Sequence, residues 1–256
     1  MSWNPDLYLA FGDHRLRPAL DLMARIPLAA PKRIVDLGCG PGNVTKLLAE
    51  RWPAAQVIGI DNAPAMLERA RKDYPDLDWR QGDAESWCSA EPVDLLFSNA
   101  VLQWLDHHER LYPRLMAQVS PGGVFAVQVP RNDDSPSHVA IRETVAAGPW
   151  QARLAPLVRS ARVAPPAFYH RLLAAHTAHL DIWDIDYLQV LSGPDPVVEW
   201  NKATALRPFL AALEEPERST FVQHYRECVR RLYPPEPDGR TLFPFRRLFL
   251  VARLPA

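Results

Sequence analysis

The sequence predicts an α/β fold: a mostly parallel sheet of seven strands, the last one antiparallel, with helices packed on it and a small helical cap. Three observations lead there. Between residues 32 and 130, short apolar runs alternate with helical patterns; the first run ends in glycines at alternate positions, "IVDLGCGPGNVT" (34–45); and two further strand-like runs follow a long interval rich in helix-forming residues and proline. At 256 residues the chain is long enough to bury a full core. We read it as a single domain, 1–256, with a core of about 15–130, 178–193 and 241–254. The cap covers about 131–177 and 194–235, and an N-terminal lid covers 1–14.

The elements follow in order. In the first run Ile34, Val35 and Leu37 suit a buried strand, Gly38, Gly40 and Gly42 allow tight turning and close backbone approach, and Val44 to Trp52 reads as helix. "AQVIGID", "LDWRQGD", "VDLLFSN" and "GGVFAVQVP" are the next strands, with "PAMLERARKDY" and "HERLYPRLMAQV" as helices among them. Such βαβ order implies parallel strands and right-handed crossovers. Residues 131–177 open with the turn-like "RNDDSPS" and are weakly periodic, as expected of an irregular helical cap. "HLDIWDIDYLQVL" alternates Leu180, Ile182, Ile185, Tyr187 and Val190 with acids, and its stagger after Trp183 predicts a bulge. "DPVVEWNKATAL" and "EPERSTFVQHYRECVRRLY" are helices, and "FPFRRLFLVARL" is the closing strand of an antiparallel hairpin.

Composition excludes several classes of function. A formal net charge of −1 removes the electrostatic reason to expect a nucleic-acid partner. Cys39, Cys88 and Cys228 are too few and too scattered for a disulfide framework, and no Cys/His spacing suggests zinc, so reduced thiols and no metal are expected. The opening "MSWNPDLYLAFGDHRLRP" has no apolar run of signal-peptide length, and nowhere do about 18 uncharged apolar residues follow one another. The expectation is a cytoplasmic protein without a membrane partner, a monomer or weak homo-oligomer, acting on a small molecule.

The glycine loop has a purely structural alternative, a strand-to-helix turn needing positive φ. Asp61, followed by Asn62, ends the second strand roughly 20 residues past the glycines, where an acid accepts hydrogen bonds from ribose hydroxyls. In "GDAES", Asp83 ends the third strand and can take an adenine amino proton beside the Ala84 backbone; capping a helix is its alternative. Met66 suits packing on adenine, or the core. Asn99 in "SNA" completes a line of polar residues at strand C-termini, where ligands of such sheets lie. The spacing is GxGxG rather than the GxGxxG of dinucleotide sites, and Asp36 stands before it. An acid there opposes a pyrophosphate and suits a methionyl amine or sulfonium, so S-adenosylmethionine fits better than NAD.

"DLGCGPGN", "GIDNAPAML", "GDAESW" and "LLFSNAVLQWL" resemble the Rossmann-like class I methyltransferases that bind S-adenosylmethionine. The opening "WNPDLYLAFGDHRLRPALDLMARI", "NAVLQWL", "EWNKATALRPFL" and the terminal "FPFRRLFLVAR" are similar to the trans-aconitate 2-methyltransferase family. The resemblance covers most of the chain but not 131–176, so Arg131, Tyr169 and His170 receive no role from it. It implies a monomethyl ester of trans-aconitate, with S-adenosylhomocysteine released. A carboxylic acid is ionised at neutral pH, so no general base and no catalytic side chain are needed. The remaining work is positioning.

An acceptor with three carboxylates calls for arginines. Arg207 in "ALRPF" comes first, on the expectation that Pro208 ends the helix and leaves Arg207 at a loop edge; Arg17 follows. Gln103 and Trp104, just past the fourth strand, are placed to touch the acceptor, with core packing as the alternative for Trp104. Tyr8 and Phe11 lie on the expected lid. His107 and His108 are read as surface residues. Rival readings are an NAD-dependent oxidoreductase, a binding module without an acceptor, and a methyltransferase for another carboxylate, a phenol or an amine.

Overall fold

The computed structural model describes residues 12–158 and 161–256, so Tyr8, Phe11 and most of the expected lid lie outside the described residues. The elements are α1 (Gly12–Ala24), β1 (Arg33–Leu37), α2 (Asn43–Arg51), β2 (Gln56–Asp61), α3 (Pro64–Asp73), β3 (Asp78–Gln81), β4 (Val93–Asn99), α4 (His108–Met116) and β5 (Val119–Pro130). Then come α5 (Pro136–Ala147), α6 (Gln151–Leu154), α7 (Pro166–Leu173), β6 (His179–Leu191), α8 (Pro196–Lys202), α9 (Arg207–Ala211), α10 (Glu217–Leu232) and β7 (Thr241–Arg253). The seven strands run in the order β3-β2-β1-β4-β5-β7-β6. All pairs from β3 to β5 are parallel, and β7 is antiparallel to β5. Covered on both faces, β1 and β4 read as largely apolar runs, and Asp36 is the buried acid that needs a reason. β6 continues unbroken through Trp183, whose ring stacks on Phe249 with centroids 5.1 Å apart.

Two compact units emerge: Met1–Arg131 with Arg162–Ile185 and Arg247–Ala256, and Asn132–Ala161 with Asp186–Arg246. The first is built on Leu37, Leu96, Phe125, Val127 and Leu250 of the sheet, with Tyr112 and Tyr169. The second has an aromatic core that includes Trp150, Trp200, Phe221, Tyr225 and Phe243. There the Asn201 amide donates to the Tyr225 hydroxyl (2.9 Å), which donates to the Ser137 carbonyl (3.3 Å).

Residues 162–177 depart from the cap expectation, because they belong to the first unit. Tyr169 is fully buried, its ring 4.9 Å from that of Tyr112. Among the described residues, no helix is long and apolar enough to cross a membrane.

Candidate functional site

β1 has β2 on one side and β4 on the other, so the strand order reverses there, and the crevice of a doubly wound sheet opens beyond the carboxyl ends of those strands. A recess of about 370 Å³, counting the space open to solvent, lies at that place. Asp36, Gly38, Cys39, Gly40, Pro41, Asn43, Val44 and Asn99 line it. The glycines have separate reasons. At Gly38 (φ 82°) a Cβ would lie 2.1 Å from Val101 Cγ2, and at Gly42 (φ 88°), the N-cap of α2, it would lie 2.4 Å from Trp79 Cη2. At Gly40 (φ 56°) no heavy atom of the described residues lies within 4 Å of such a Cβ, so the missing side chain leaves room for a ligand.

Asp36 is 2% exposed and accepts a hydrogen bond from Thr45 Oγ1 (2.6 Å). Burial pushes its carboxyl pKa up to about 7; the Thr45 bond opposes the rise and the charge of Asp61 adds to it. Asp61 Oδ2 accepts from the Gly40 N–H and Oδ1 from the Ala63 N–H, both at 2.8 Å, which ties the glycine loop to the end of β2. Its pKa too is raised by burial, against the pull of those backbone donors. Asn99 Oδ1 is buried and has no hydrogen-bond partner among the described residues. A desolvated carboxylate, an unmatched acceptor and open space at Gly40 fit a cationic, hydrogen-donating group such as the amino group of S-adenosylmethionine. A pyrophosphate would instead meet the charge of Asp36.

The remaining cofactor candidates lie outside the lining of this recess. Gly42 packs on Trp79, while Asn62 and Met66 follow the end of β2. Asp83 and Ala84 follow the end of β3, the next strand over. Asp83 is exposed and accepts from the Glu85 N–H (2.8 Å) and the Asn62 amide (3.4 Å); Met66 and Ala84 are buried.

Beyond β4 the chain turns at Ala100 (φ 59°) into a short 3-10 turn, Leu102–Trp104. Gln103 Nε2 donates to the Ala100 carbonyl (2.7 Å), while its Oε1 is buried without a partner among the described residues. That unmatched atom is an acceptor and would meet a donor, not a carboxylate oxygen. Trp104 is 41% exposed, which removes core packing as its explanation. His108 corrects the expectation of a surface residue, since it is 4% exposed. Its Nε2 lies 2.9 Å from the Leu102 carbonyl and must donate there, so Nδ1 accepts from the Tyr169 hydroxyl at 2.7 Å. Burial lowers its pKa, consistent with a neutral ring. The adjacent His107 holds a left-handed conformation (φ 57°) at the N-cap of α4, which separates the two side chains.

Arg207 opens α9 instead of closing the helix before it, because a proline in the first helical turn forfeits no intrahelical bond. It is half-buried in the second unit, whereas Arg17 is exposed on α1 in the first. Arg131 pairs with Asp184 (2.6 Å), Tyr169 is core, and His170 is exposed. Sequence reasoning missed Thr45, whose only signal is its place in the first turn after the glycines. It also missed Arg162, whose Nη1 donates to the Trp104 carbonyl (2.6 Å) with no motif to announce it.

A family model described as a methyltransferase domain matches residues 34–123. The trans-aconitate 2-methyltransferase of Azoarcus sp. (strain BH72) is 49% identical over 251 residues, 98% of each chain. A protein of the same name from Methylobacterium nodulans is 48% identical over 253 residues, again 98% of each. Among solved structures, protein YcgJ of Bacillus subtilis matches with a TM-score of 0.59 at 15% identity, covering 93% of this chain and 98% of that one, a likeness of fold alone.

Proposed function

The chain belongs to the trans-aconitate 2-methyltransferase family, and from that premise we propose that it transfers a methyl group from S-adenosylmethionine to one carboxylate of trans-aconitate, giving a monomethyl ester. The observation that carries this reading is near-full-length identity of 48–49% to proteins of that name. The recess with Asp36 and Asn99 supports it from the side of the chemistry.

When bound, S-adenosylmethionine supplies a methyl group on a positively charged sulfur. Asp36 and Asn99 Oδ1 accept from its amino group, and Gly38, Gly40 and Gly42 let the backbone approach. Asp61 and Asn62 take the ribose hydroxyls; Met66, Asp83 and Ala84 hold the adenine. Trp104 and Gln103 wall the transfer site, and Arg207, Arg17 and Tyr8 join them as acceptor residues on the sequence alone. The nucleophilic oxygen is ionised at neutral pH, so these residues need supply no base. They fix the line of attack and exclude water, and positioning of this kind supplies about 7–11 kcal/mol of a barrier.

The test is incubation with methyl-labelled S-adenosylmethionine and a panel of di- and tricarboxylates, reading base-labile label and product mass. A monomethyl ester formed with trans-aconitate, and far less with its saturated relatives, is the expected result. Cofactor binding with no carboxylate methylated would discard the acceptor and leave the family assignment standing.

A further inference from the structure

Arg162 lies just before α7, with a side chain only 12% exposed. Its Nη1 donates to the Trp104 carbonyl (2.6 Å), and its Nε lies 2.8 Å from Asp106 Oδ1. The Nη1 bond anchors one corner of the guanidinium, and Asp106 pairs with Nε by charge without the geometry of a hydrogen bond. Among the described residues, Nη2 is buried, has no hydrogen-bond partner and has no ion pair either. An unmatched donor on a buried cation is costly, and the group that satisfies a guanidinium N–H best is a carboxylate oxygen. Asp106 is 60% exposed, so water screens its charge and much of the positive character of Arg162 remains. All of these groups belong to the first unit, and the turn they brace leaves β4 at the end of the sheet where ligands of this architecture lie.

We propose that Arg162 binds one carboxylate of the acceptor through Nη2 while its Nη1 holds the Trp104 turn. This rests on the carboxyl-methyltransferase reading above and adds a specificity-determining residue to it. The spare donor selects an acceptor that carries a carboxylate besides the one being esterified.

The test is steady-state kinetics of Arg162→Gln, Arg162→Lys and Asp106→Asn against trans-aconitate and dicarboxylates that each lack one of its carboxyl groups, with S-adenosylhomocysteine affinity measured by calorimetry. Arg162→Gln should raise the trans-aconitate KM about 10- to 100-fold, as expected for losing a charge-assisted hydrogen bond, with product affinity unchanged. The penalty should vanish for the dicarboxylate lacking the group that Arg162 holds, and Arg162→Lys should recover part of the loss. Asp106→Asn, which removes a competing carboxylate and keeps the arginine, should leave KM equal or lower. An unchanged KM in Arg162→Gln, the same fold-loss for every acceptor, or a raised KM in Asp106→Asn would reduce Arg162 to a structural brace and overturn the proposal. Should Arg162→Gln not fold, Arg162→Lys and Asp106→Asn decide. Wild-type protein that binds S-adenosylhomocysteine but leaves trans-aconitate untouched sinks the functional reading and this one together; an active wild type with an insensitive Arg162 sinks this one alone.

Discussion

The loop after β1 and the turn after β4 leave the same end of the sheet, yet they are made of opposite materials. The first is backbone and buried acid: left-handed glycines, Asp36 sealed under Thr45, and Asp61 gripping the Gly40 N–H. The second is side chain and cation: an exposed Trp104, with Arg162 clamped to its carbonyl. A site for a cation is prepared by desolvating carboxylates before the ligand arrives, and a site for anions by fixing arginine forks. On the proposed reading, charge sign divides the two sites.

The largest effect that sharpens this contrast is expected within the loop. Gly38→Ala puts a methyl group against Val101 at a left-handed φ, and overpacking together with backbone strain should destabilise the protein by about 2–5 kcal/mol. Gly40→Ala meets no neighbour among the described residues and should cost only the backbone strain, about 1–2 kcal/mol, while losing cofactor affinity. Thermal unfolding of the two variants separates them, and equal losses would break the distinction between a glycine needed for packing and one needed for the ligand.

Next comes a crossed pair. Arg207→Ala should raise the acceptor KM about 10- to 100-fold and lower turnover while cofactor affinity stays nearly intact; Asp61→Ala should do the reverse. An unchanged acceptor KM removes Arg207 from the site.

A pH dependence tests the buried acid itself. Asp36 in the folded protein holds a proton up to about pH 7 that an unfolded chain releases near its ordinary value of 3.8. Its contribution to stability therefore falls as pH rises through that window and is level above it. Asp36→Asn should match wild type near pH 4 and exceed it in melting temperature at pH 8. Cofactor affinity should run the other way, improving as pH rises toward neutrality, and a flat profile would contradict a cation seated on Asp36.

The same contrast explains what the sequence made legible. The loop is local: Asp36, the glycines and Thr45 span ten positions, and a strand, a turn and a helix start all leave marks at short range. Asp61 and Asn99 stand out in the sequence because strand ends are where such sheets present polar groups. The proposed acceptor side is assembled at long range. His108 meets Tyr169 across 61 residues and Arg162 meets Trp104 across 58, so no periodicity could join them. Residues 162–177 were assigned to the cap because α7, Pro166–Leu173, is too short for its apolar face to say which surface it covers. Pro208 was misread because a proline marks the start of a helix as readily as its end.

The carboxyl of Asp36 is poised near neutrality, and that gives the arrival of the cofactor a thermal signature. A cation that takes its place beside a half-protonated acid expels the proton into the medium. The heat recorded at pH 7 should therefore vary with the ionisation enthalpy of the buffer, and that dependence should shrink in Asp36→Asn, which has no proton to give up.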